Sequence, residues 1–162
     1  MPTQNPSNPF SQTLNLQLPP QSRRWLTMAI LYFVAAVCMG VFMGASHDHR
    51  LMAVHAHMNL LGWVTMTLIG FVYYFFPHQA QNRAARAQFW LHQIGLPGMM
   101  IALALMVHGN EAAGQYIGIF SLLTLASVLL FAGNILVAMR WASQATNVTA
   151  PAPHATVMGV VA

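Results

Sequence analysis

No lysine occurs anywhere in the 162 residues, and Asp48 and Glu111 are the only acids. Charged residues make up 5% of the chain, fewer than a water-soluble surface needs, so the membrane class is favoured. The six arginines are too few and too scattered for a nucleic-acid-binding face, and no nucleic-acid partner is expected. The single cysteine, Cys38, excludes an intrachain disulfide framework. It lies in an apolar run and reads as a small buried hydrophobe. No acid falls inside a long apolar stretch, which removes the usual carboxylate proton relays of membrane proteins. What the chain does have is a 57% apolar content and eight histidines.

The Pro-, Gln- and Asn-rich stretch 1–22 reads as a disordered tail, without the basic start and apolar core of a secretory signal. A first apolar run extends from Trp25 to about Ala45. Ala36, Gly40 and Gly44 make a small-residue stripe on it, suited to close helix packing. The polar connection His47-Asp48-His49-Arg50 leads to a second run, from about Leu51 to Phe76. Tyr73 to Phe76 look like an interfacial aromatic girdle there, and Pro77 ends the run. Residues 78–88 read as a polar loop. The third run covers about Phe89 to Val107, with a kink expected at Pro97. The fourth covers about Gly114 to Met139, and 141–162 reads as a second disordered tail. Each apolar run approaches or exceeds the roughly 20 residues that cross a bilayer. The expected fold is an all-α membrane domain over 23–140, with four transmembrane helices in an antiparallel up-down bundle or arc.

With four spans, Arg23, Arg24, Arg83, Arg86 and Arg140 fall on one side and Arg50 alone on the other. The positive-inside rule then makes both termini cytoplasmic. The loops holding His47 to Arg50 and Glu111 face outward, toward the periplasm if the membrane is the inner membrane of a bacterium.

The polar side chains of the second span, His55, His57 and Asn59, cluster near its outer end. Intramembrane imidazoles are costly without partners and usually mark a site. A helix turns about 100° per residue, so His55 and His57 lie about 200° apart and cannot chelate one ion together. Each has the geometry to bind the iron of a separate planar cofactor. Arg50, above them, is placed to pair with heme propionates. His108, at a similar depth on the third span, is a candidate propionate partner or axial ligand. His47 and His49 are weaker candidates for a metal ion, the plainer reading being solvated loop residues. His92 lies at the opposite depth and is expected to bond a neighbouring helix.

Arg50, His57-Met58-Asn59, Trp63, Gly70, Tyr73-Tyr74 and Pro77 together resemble the second helix of the heme–copper oxidase subunit I superfamily, above all its nitric oxide reductase and C-type oxidase branches. The run Phe89 to Pro97 resembles the third helix of those proteins. The resemblance covers one four-helix arc of a fold built from three such arcs. It implies that a histidine of this helix binds low-spin heme. His55-Ala56-His57 also resembles the H-x-H of the tenth helix, whose imidazoles serve different hemes. One arc carrying both motifs points to a homotrimer with heme between subunits, a dimer being the alternative. The adjacent His-His pair of the family's copper site is missing, so a complete oxidase is not expected.

The function expected is one-electron transfer by b-type heme in the membrane lipid, with a quinol or another respiratory-chain component as partner. The alternative is heme or copper handling for the assembly of a terminal oxidase, without catalysis by this chain.

Overall fold

The computed structural model describes residues 18–148. Among these there is no strand, and four helical stretches are long and apolar enough to cross a membrane. The chain is thus an all-helical, multi-pass membrane protein. It divides between Ala80 and Gln81 into two helical units.

In the first unit α1 spans Pro20–Ser46. It starts earlier than the sequence suggests, because Pro20 has its φ preset for a first turn and the Ser22 hydroxyl donates to Gly70 O at 2.8 Å. The return stretch has three parts: α2 (Met52–His57), a π-helical segment (Met58–Val64) and α3 (Thr65–Phe75). A short α4 (Pro77–Ala80) follows. The pairings Ser22–Gly70, Tyr32–Gly62 and Ala36–His55 run in opposite directions along the two stretches, so they are antiparallel.

The buried positions of α1 (Trp25, Ala29, Tyr32, Ala36 and Met43) recur at helical spacing and form one stripe. Cys38 lies off that stripe and is exposed, contrary to its reading as a buried residue. Ile30, Val34, Val41 and Phe42 share the outward surface, and apolar residues there are what lipid contact requires. The four residues of the expected aromatic girdle differ in exposure. Tyr73 is fully buried and only Phe75 is strongly exposed, since consecutive helical positions cannot all face one way.

The second unit pairs α5 (Arg83–Val107) with α6 (Gly114–Val148) through a short 3₁₀ turn, Glu111–Ala113. The loop expected over 78–88 is largely helical. The cause is a cap: Asn82 Oδ1 accepts the Ala85 N–H at 2.8 Å and starts α5 at Arg83. α5 continues through Pro97. Gly95 and Gly98 flank this proline and let α6 approach; a Cβ on Gly95 would lie 2.6 Å from Thr124 Oγ1 and 2.8 Å from Thr124 N. α6 extends past Arg140 through good helix formers such as Ala142 and Gln144, two turns beyond the expected end of the span. Of the expected tails, 1–22 and 141–162, residues 1–17 and 149–162 lie outside the described residues.

Candidate functional site

α2 is a regular helix through His57, so the two histidines diverge as a 100° turn requires. His55 turns toward α1. Its Nδ1 lies 3.0 Å from Ala36 O, and Asn59 Nδ2 lies 3.2 Å from its Nε2. A carbonyl oxygen only accepts, so Nδ1 carries the proton and Nε2 accepts from the Asn59 amide. Gly40 completes the seat. A Cβ there would approach His55 Cε1 to 3.1 Å, so the bare glycine leaves room for the ring. The Ala36–Gly40 stripe thus packs against the neighbouring helix through its imidazole. Gly44, next along it, has nothing within 4 Å.

His57 is exposed, and its Nδ1 lies 2.7 Å from Ala53 O one turn back. The same logic places its proton on Nδ1 and leaves the Nε2 lone pair without a hydrogen-bond partner among the described residues. His108 repeats the pattern in the second unit, exposed, with Nδ1 2.8 Å from Ala104 O. All three imidazoles are therefore in the tautomer that presents Nε2 as a ligand atom. A ring N–H anchored on a carbonyl is the support that metal-binding histidines usually have. His57 and His108 are ready in this sense; His55 becomes so only when Asn59 releases it.

The π-helical segment begins immediately after His57. Its register is seen at Thr65, whose N–H and Oγ1 both point to Leu60 O, five residues back, the hydroxyl at 2.7 Å. Such a slip leaves carbonyls short of their usual partners, and Asn59 Nδ2 serves His55 O at 3.0 Å. The segment also turns Gly62 onto the Tyr32 ring, where a Cβ would clash at 2.5 Å. Wide turns of this kind occur often at functional sites. Nothing in the composition of Met58–Val64 signalled it.

The remaining candidates are elsewhere. Arg50 is exposed and bound to Asp48, its Nε 3.0 Å from both carboxylate oxygens. The Asp48 hydrogen bond, followed by its charge, raises the Arg50 pKa above the ordinary arginine value. His47 is exposed at the end of α1 with a left-handed backbone, φ 54°. His49 is exposed in the same loop, where its carbonyl accepts the Met52 N–H at 3.0 Å. Among the described residues no three His, Cys, Asp or Glu side chains are gathered for a metal ion. His92 is fully buried with its Nδ1 3.4 Å from Ser127 Oγ on α6, the interhelical role its depth suggested.

No family model, curated protein or solved structure matches this chain.

Proposed function

We propose that this is a small heme-binding protein of the bacterial inner membrane, with both termini cytoplasmic and the His55–His57 end toward the periplasm. The observation that carries the proposal is His57. Its Nδ1–H is fixed on Ala53 O, and Nε2 is left projecting from the exposed surface of an apolar span. An unmet imidazole nitrogen in hydrocarbon costs free energy, and iron ligation removes that cost. A b-type heme held by two imidazoles supplies one-electron transfer, with a potential set by ligands and burial.

His57 is exposed on its helix, and in this proposal the second ligand and the second wall of the heme slot come from another copy of the chain. In a trimer that uses His55 and His57 from neighbouring copies, Asn59 must give up His55 Nε2. In a two-fold dimer, two copies of His57 suffice. The Asn59 contact weighs toward the dimer.

The test is heme per chain in detergent-purified protein, combined with native mass. Heme lost in His57→Ala but retained in His55→Ala, in a dimeric particle, supports the His57 pair. Heme lost in both variants, in a trimeric particle, supports the alternating arrangement. Wild-type protein without a Soret band, when expressed with ample heme, ends the proposal.

A further inference from the structure

The second unit holds a cavity of about 310 Å³ near the outer ends of α5 and α6, remote in sequence from His57. Ile101, Leu105 and Phe120 line its apolar part, and Asn110, Gln115 and Tyr116 supply its polar groups. Ile101 is about 9 Å along α5 from Val107, so the apolar part reaches into the depth of the span while the polar residues sit by the loop. Tyr116 and Phe120 are one helical turn apart, and both line the cavity.

Charge narrows the choice of occupant. No cationic side chain lines the cavity, and Glu111 lies in the loop between the lining residues Asn110 and Ala112. An anionic phospholipid headgroup finds no countercharge among the lining residues. Two amides and a phenol donate well to neutral carbonyl oxygens. Two neighbouring aromatic rings suit a flat ring between them.

We propose that this cavity binds a lipid-soluble quinone. Its ring would lie against Tyr116 and Phe120, its carbonyl oxygens would accept from Asn110, Gln115 or Tyr116, and its apolar tail would follow Ile101 and Leu105. The site stands independently of heme on His57.

Binding of a decyl-substituted benzoquinone to the full-length protein in nanodiscs tests this, with dioleoylglycerol and phosphatidylglycerol as competitors. Saturable binding of one quinone per chain is expected. Tyr116→Phe, which removes only a hydroxyl, should weaken it by about fivefold. Ala112→Phe, which fills the cavity from an exposed lining position, should weaken it by at least tenfold. Circular dichroism of both variants separates these effects from misfolding, and Leu105→Trp is a second filling variant should Ala112→Phe fail to fold. His57→Ala should leave quinone binding unchanged, which keeps the test separate from the heme reading. Non-saturable partitioning, displacement by either lipid at equal concentration, or indifference to a folded filling variant each overturns the proposal.

Discussion

The Nδ1 atom of His55 lies 3.0 Å from the carbonyl oxygen of Ala36, and Gly40, one turn further along α1, gives the ring its space. This contact joins the two membrane-crossing stretches of the first unit through a polar bond inside an apolar pair. It also fixes the His55 tautomer. Asn59 holds the other nitrogen, so the ring has little freedom to shift.

Gly40→Ala should therefore destabilise the first unit. The new methyl meets His55 Cε1 at 3.1 Å, and a ring held at both nitrogens cannot yield easily. Overpacking of this kind costs about 1–3 kcal/mol. Gly44→Ala, with nothing within 4 Å, should be neutral or slightly stabilising. Thermal unfolding of both variants in one detergent makes the comparison.

Gly95→Ala should be worse than either. Its methyl meets Thr124 N at 2.8 Å, and backbone cannot swing aside as a side chain can. A loss of about 3 kcal/mol or failure to fold is expected. Gly118→Ala is the control, since its Cβ points into open space. Steric-trap or thermal unfolding measurements would rank them.

The four spans were legible because apolar length is a coarse signal that local detail does not disturb. The opposite directions of His55 and His57 were legible because α2 remains regular between them. Their partners were not. The Ala36–Gly40 stripe has the composition of a helix-packing surface, and only the three-dimensional register shows an imidazole against it. The π-helical turn was illegible for a related reason: a one-residue slip leaves no local pattern, and the Tyr32 ring against Gly62 is a contact thirty residues apart in sequence. The Arg50 guanidinium also has a local partner that depth along the helix does not reveal, the Asp48 carboxylate two residues away.

His47→Gly should stabilise the protein. His47 ends α1 in the left-handed region at φ 54°, where a side chain costs about 1 kcal/mol relative to glycine. The melting temperature should rise by a few degrees, with no change in heme content. A fall would mean that the exposed His47 side chain makes a stabilising contact in the assembled protein.

Chemical rescue asks whether His57 Nε2 is the atom that ligates iron. Heme is added to purified His57→Gly protein, with and without imidazole, and the Soret and reduced α bands are recorded. A low-spin spectrum is expected in the wild type, with its loss in the variant and its return with imidazole but not with an equal concentration of pyrrole, which offers no ligating lone pair. A variant that keeps the wild-type spectrum without imidazole would contradict it.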